Sequence, residues 1–340
     1  MHSSKRKHIG LAVIFLLLCV TVTAILNYCL IPSNVVRINL HYLENGESYD
    51  TIFLGTSHGQ YGINPEAVDA VTGENSLNLC MADEYPDDMY YLLKLVCEKQ
   101  NPKRIVYELD PSYWMLEQRQ GSTPIFFYKE FPFSAAKISY FFDKVMRLDF
   151  RSTLAPWGYY RNEYTNIGKN IRVKQSEAYK NYDPSVLEIG VGHYGGKGFI
   201  YRDRIEGEAK GGFNNVPFEE DRIQDKAIQY FEKMAEYCKK KGIELVVITT
   251  PVPKDTTDAF ADSYEKADQY FRDLLSGYGL EYLNFNLVQP EILSRSMEGY
   301  WDYDGHMDGI RAEEFSTVLG NVLDGMHMES YQERLFFKER

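Results

Sequence analysis

Cysteine is scarce in this chain of 340 residues, and the five present, at 19, 29, 80, 97 and 238, include no Cys-x-x-Cys pair. Scattered thiols of that kind support neither a disulfide framework nor a zinc site, and burial as small hydrophobic side chains is the plainer reading. Positive charge is short too: 37 Lys and Arg face 49 Asp and Glu, for a formal net charge of −12. Affinity for a polyphosphate rests on many Lys and Arg contacts, so the balance argues against a nucleic-acid partner. No internal repeat or low-complexity tract interrupts the chain. What remains is globular in composition, 44% hydrophobic and 25% charged, and long enough to bury a sizeable core.

The N-terminus stands apart. Lys5-Arg6-Lys7 precedes an uncharged run from Ile9 to Leu30, in which only Thr21, Thr23 and Asn27 are strongly polar. About 20 apolar residues at ~1.5 Å rise each cross the hydrocarbon core of a bilayer. The expected order is a cytoplasmic basic tail (1–8), a transmembrane signal-anchor (9–30), a linker (31–48) broken by Pro32, Asn45 and Gly46, and a domain (49–340) on the extracytoplasmic side. This predicts a single-pass protein of the cell membrane. Val22-Thr23-Ala24 also fits a signal-peptidase site, so cleavage is the competing outcome; the apolar run continues past Ala24, which favours an uncleaved anchor.

Downstream, short apolar runs at 51–54, 75–80, 104–109, 243–249 and 280–285 read as strands, and longer 3.6-periodic stretches at 86–99, 221–241, 264–278 and 309–323 as helices. Parallel neighbours need crossovers of this length, so the predicted fold is α/β: a three-layer, doubly wound parallel sheet of about five strands. From about 116 to 216 the periodicity is lost and aromatic and Gly clusters dominate. That stretch reads as an insertion or cap over the carboxyl edge of the sheet, or as a small domain of its own.

The first strand ends in Gly55-Thr56-Ser57-His58-Gly59. Glycines on both sides allow a tight turn that exposes the Ser57 hydroxyl near backbone N–H groups; the alternative is a serine that merely caps a helix. A serine nucleophile needs a base and an orienting acid. Of the seven histidines, His306 stands in Asp302-Tyr303-Asp304-Gly305-His306, just before the last helix, where a loop after the fifth strand opens on the same sheet edge as Ser57. Either aspartate can accept the imidazole Nδ1–H. His58 adjoins the serine on a tight turn, so its side chain diverges, and it reads as lining the site or the surface.

These two blocks resemble the SGNH (GDSL-like) hydrolases and acyltransferases, which place the nucleophile just after strand one and an Asp-x-x-His before the final helix. The resemblance spans about 49–109 and 242–323, and is nearest to the membrane-anchored DltD-like D-alanyl transfer proteins and polysaccharide O-acetyltransferases, which share an N-terminal anchor and a Pro-aromatic motif like Asp110-Pro111-Ser112-Tyr113-Trp114. It implies the fold above, a Ser57–His306–Asp triad and no cofactor. The usual spacing would put the acid at Tyr303; Asp304 is preferred over Asp302, because some relatives carry Asp-x-His. The family's second-block Gly is not evident around Met81 and Ala82, and its third-block Asn stands as Asp110. The oxyanion hole is then expected from the Ser57 N–H, in the Gly55 turn, and a backbone group near Met81 or Ala82, with Asp110 turned away.

The expected function is a membrane-anchored, extracytoplasmic serine esterase or O-acyltransferase acting on acyl esters of cell-envelope glycans or teichoic-acid-like polymers. The family resemblance adds a membrane-bound O-acyltransferase partner. The alternative is a weakly active or inactive SGNH-like surface protein that binds glycan or scaffolds an envelope assembly.

Overall fold

The strands of the main sheet are buried on both faces, which is why they read as continuous apolar runs. A computed structural model describes residues 2–118, 127–204, 211–213 and 216–325. Five strands, β1 (Thr51–Leu54), β2 (Ser76–Asn78), β3 (Arg104–Glu108), β6 (Glu244–Thr249) and β7 (Tyr282–Asn284), form one parallel sheet in the order β2-β1-β3-β6-β7. A hairpin of β4 (His193–Gly196) and β5 (Phe199–Tyr201) lies outside it.

Side chains alternate between two cores. Ile52, Leu54, Ile105, Tyr107, Leu245 and Val247 point to one, with α5 (Pro86–Lys99), α7 (Asp225–Lys241) and α8 (Ala261–Gly277). Phe53, Val106, Val246, Ile248 and Leu283 point to the other, with α4 (Pro65–Thr72) and α9 (Gly309–Gly325). Period-two alternation thus produces the three layers. The strand order reverses between β1 and β3, and in open α/β sheets ligands bind beside the carboxyl ends of strands at such a switch.

Two sequence expectations need correction. Residues 31–48 are not a plain linker: α2 (Val35–Asn45) starts at Asn34, whose side chain accepts the Arg37 N–H, and buries Val36, Ile38, Leu40 and Leu43. The stretch from 116 to 216 does more than cover the sheet edge: its first part packs on the main core and its middle on the end of α1; residues 119–126, 205–210 and 214–215 lie outside the described residues, as do 326–340 of the expected domain. Phe127, Phe131, Ala136, Tyr140 and Val145 join the first core, so this part packs on the outer face of α5. The hairpin covers the edge strand instead. Asn78 donates its N–H to the Lys197 carbonyl at 2.8 Å, and Phe199 enters the second core. Gly198 has φ +90°, and a Cβ there would meet the Asn78 carbonyl oxygen, so this close approach requires glycine.

At the N-terminus α1 (His2–Leu30) includes, from Lys5 to Leu30, a helix long and apolar enough to cross a membrane. Its last carbonyls are capped by α6 (Ile167–Gln175): Asn170 Nδ2 donates to the Cys29 and Leu30 carbonyls at 3.1 and 3.2 Å, and Lys174 Nζ to the Tyr28 carbonyl at 2.6 Å.

Candidate active site

Strand β1 delivers Ser57 to the switch point as the first residue of the short helix α3 (Ser57–Gly62). Thr56, not Ser57, is the cap: its Oγ1 accepts the His58 N–H at 3.3 Å. This division of labour leaves the Ser57 hydroxyl unused by the backbone. It bonds instead to His306 Nε2 at 2.8 Å, across 249 residues of chain.

The turn is held from below by Glu108, at the end of β3 and buried. One carboxyl oxygen, Oε2, accepts both the Thr56 N–H at 2.8 Å and the Thr56 hydroxyl at 2.9 Å. Burial raises the Glu108 pKa, and the nearby Asp110 charge adds to it, against the opposing effect of His58. A Cβ on Gly55 would lie 2.5 Å from Glu108 Cβ, so glycine before Thr56 is needed for this contact, and its expected place in an oxyanion or substrate site gives way to a packing role.

His306 is held by Asp302. Asp302 Oδ2 lies 2.7 Å from His306 Nδ1, while Oδ1 accepts the N–H groups of Gly305 at 3.0 Å and of His306 at 3.1 Å. Burial opposes ionisation of Asp302, but the hydrogen bonds and charge of His306 outweigh it and bring the pKa down to about 2. An ionised Asp302 accepts Nδ1–H and leaves Nε2 as the acceptor facing Ser57. The preference for Asp304 is therefore corrected. Gly305, at φ +115°, turns the loop so that the carboxylate four residues before His306 folds back onto the ring. Asp304 makes no hydrogen bond to His306; it lines the adjoining cavity with its Oδ1 buried and unpartnered among the described residues. Burial and then the Asp302 charge raise its pKa.

Of the other residues expected at the oxyanion or substrate, Asp110 does line the cavity beside Ser57, whereas Met81 and Ala82 are revised. The Met81 N–H donates to the Gly55 carbonyl at 2.9 Å, and neither Met81 nor Ala82 lines the cavity. Asp110 is turned to local duties: Oδ1 accepts the Ser112 N–H at 2.8 Å, and Oδ2 lies 3.4 Å from His58 Nδ1. The Ser57 N–H stands at the first position of its helix, where it has no intrahelical carbonyl to bond, and is a backbone donor beside the hydroxyl.

A cavity of about 220 Å³ opens beside Ser57 and His306. Its walls are mostly apolar, with Leu109, Leu116, Phe218, Val252 and Phe260 among them, and Asp268 and Asn284 stand along it at 2.8 Å from each other. Sequence reasoning missed the residues on the other flank of His306. Tyr61 packs edge-on against the His306 ring at 5.7 Å, and the Arg202 guanidinium lies over Tyr61 at 3.6 Å and Trp301 at 5.0 Å. Arg202 has no ion-pair partner among the described residues. The only sequence signal was that Tyr61 and Trp301 flank the two motifs.

No family model matches the chain, and no curated protein matches it.

Proposed function

We propose that the protein is a serine esterase or O-acyltransferase of the SGNH type, anchored by α1 with its domain on the extracytoplasmic side and acting on acyl esters of envelope glycans or teichoic-acid-like polymers. The observation that carries this reading is the continuous Ser57–His306–Asp302 relay, with heavy-atom distances of 2.8 and 2.7 Å, at the mouth of a mostly apolar cavity.

In the proposed reaction Ser57 Oγ attacks the acyl carbonyl while His306 Nε2 takes its proton. Asp302 stabilises the resulting imidazolium, and the Ser57 N–H faces the developing oxyanion. His306 then returns the proton to the departing alkoxide. The acyl-enzyme passes its acyl group to water or to an acceptor hydroxyl, activated by the same imidazole. The cavity is large enough for an acyl group beside the serine, and Arg202, stacked on Tyr61 on the other flank of His306, is a cation suited to a phosphate or carboxylate of the polymer. A membrane-bound acyl donor partner fits the transferase version of this reading.

The engaged Met81 N–H favours a second reading, a weakly active or inactive surface protein, because losing one oxyanion donor typically costs about 10² to 10³ in rate. Treating the full-length protein in detergent with a fluorophosphonate probe separates the two. Labelling that disappears in Ser57→Ala is expected; an unlabelled wild type would leave the binding reading standing.

A further inference from the structure

The stretch from Ser134 to Leu154 is almost wholly helical, formed by Ala135–Tyr140, the wider π turn Phe141–Val145, Met146–Asp149 and Arg151–Leu154. One side packs on α5 through Ala136, Tyr140 and Val145. Ile138, Phe142, Met146, Phe150 and Leu154, spaced every four residues, are instead exposed; Phe142 is 60% and Leu154 66% accessible, and Phe133, just before the stretch, is 86% accessible. In a regular α-helix an i, i+4 row drifts around the axis, and the π turn reduces that drift. A row of large apolar side chains on a water-facing surface signals an interaction site.

Its position on the chain indicates the occupant. Three residues after Leu154, the Trp157 N–H donates to Asn27 Oδ1 at 3.0 Å, and Tyr160 packs with Leu30 and Ile31 at the end of α1. The row therefore leads directly into the collar around the end of the apolar helix. Charge points the same way. In a chain of net charge −12, residues 133–175 carry eight Lys or Arg and three Asp or Glu; Lys144 is buried and Lys174 caps α1, which leaves six basic side chains for the surface. Exposed Tyr159 and Tyr164 add amphipathic rings of the kind enriched at membrane–water interfaces.

We propose that this ridge lies in the membrane interface, with the Ile138–Leu154 row facing the acyl boundary and its basic residues reaching lipid headgroups. The proposal rests on the reading of α1 as a membrane anchor. It makes the insertion a second, in-plane contact that limits the tilt of the domain over the bilayer.

The test is photocrosslinking of the full-length protein reconstituted in phosphatidylcholine–phosphatidylglycerol vesicles. Single substitutions Phe142→p-benzoylphenylalanine and Phe150→p-benzoylphenylalanine are compared with Glu220, exposed on the domain surface, and Leu16, in the apolar helix, substituted in the same way. Phospholipid adducts are expected at 142, 150 and 16, with at least about tenfold less at 220. Adducts at 16 without adducts at 142 and 150 overturn the ridge and leave the anchor intact. Absence at 16 overturns the anchor reading and the ridge with it. Crosslinked dimers through 142 or 150 in place of lipid adducts overturn the proposal in favour of a contact between copies of the chain. Because these side chains are exposed, the further variant Phe142→Glu with Phe150→Glu should fold normally, and the lipid yield at Leu154→p-benzoylphenylalanine should fall several-fold in it.

Discussion

Two acid–base clusters sit just after neighbouring strands of one sheet, and they are built for opposite ends. After β1, Ser57, His306 and Asp302 form an open line that runs from a carboxylate held also by two backbone N–H groups to a hydroxyl beside a cavity. After β2, in the first turn of α5, Asp87 and Asp88 close around Lys144 from the insertion. Lys144 Nζ bonds Asp88 and lies 3.0 Å from Asp87 Oδ1; Lys226 reaches Asp87 Oδ2 at 2.5 Å, and the Tyr140 hydroxyl and Tyr85 N–H occupy Asp88. Burial opposes the Lys144 charge, but Asp87 and Asp88 more than offset it and raise its pKa. The comparison teaches that charge pairing alone does not mark a functional site. The buried cluster closes Lys144 between two carboxylates and ties the insertion to α5, whereas the open one leaves a hydroxyl and a backbone N–H facing space that a substrate can enter.

The largest expected effect breaks the open line at its acid. Asp302 Oδ1 already takes two backbone N–H groups, so Asp302→Asn would keep its carbonyl oxygen there and present an NH₂ group to His306 Nδ1. That forces the proton onto Nε2, where it faces Ser57, and kcat for ester hydrolysis should fall by about 10³ to 10⁴. The same substitution tests the pKa. A carboxylate held at about 2, below its ordinary 3.8, stabilises the fold fully above pH ~4 and loses that contribution as pH falls toward 2. Denaturation curves of Asp302→Asn should therefore depend less steeply on pH between 4 and 2 than those of the wild type.

The closed cluster should answer in stability. Lys144→Met leaves Asp87 and Asp88 facing each other in the interior beside Glu84, itself buried and already pushed well above the usual carboxyl range by burial and by Asp88. Breaking a buried pair by removing one partner costs about 3 to 5 kcal/mol, measurable by urea unfolding. Fluorophosphonate labelling of the folded fraction should persist, because the cluster is separate from the Ser57–His306 line. Loss of labelling at unchanged stability would reverse the assignment of the two clusters.

How far the sequence foretold these parts follows from their range. Strand β1 was read at its observed bounds and the other sheet strands within a few residues, because burial on both faces writes apolar runs into the chain. Ser57 and His306 were legible as a pair because strand order sends both to one edge. The acid was not, since Asp302 and Asp304 differ only in how the loop turns at Gly305, which spacing does not encode. Helix α2 was hidden by its length and by the breakers around it, although Asn34 followed by Val36, Leu40 and Leu43 carries both cap and stripe. The exposed row from Ile138 to Leu154 was obscured because apolar residues occur on both sides of that stretch, one for the core and one for the proposed membrane contact.

The smallest expected effect sharpens the comparison within a single loop. Asp304 is two residues from Asp302 and shares its surroundings, yet its Oδ1 has no hydrogen-bond partner among the described residues, and burial followed by the Asp302 charge raises its pKa where Asp302 is depressed. The unfolded chain ionises near the ordinary 3.8, so the folded state is penalised once pH rises above that, and the penalty vanishes below it. Asp304→Asn should then melt slightly higher than the wild type at pH 7 and together with it near pH 3. Its kcat should change by about tenfold or less, because a carboxylate that only faces the imidazolium through space acts by a weak, screened attraction. If Asp304→Asn instead cost as much as Asp302→Asn, the two carboxylates would have to exchange places on Nδ1 during turnover, and the loop around Gly305 would be a moving part of the relay.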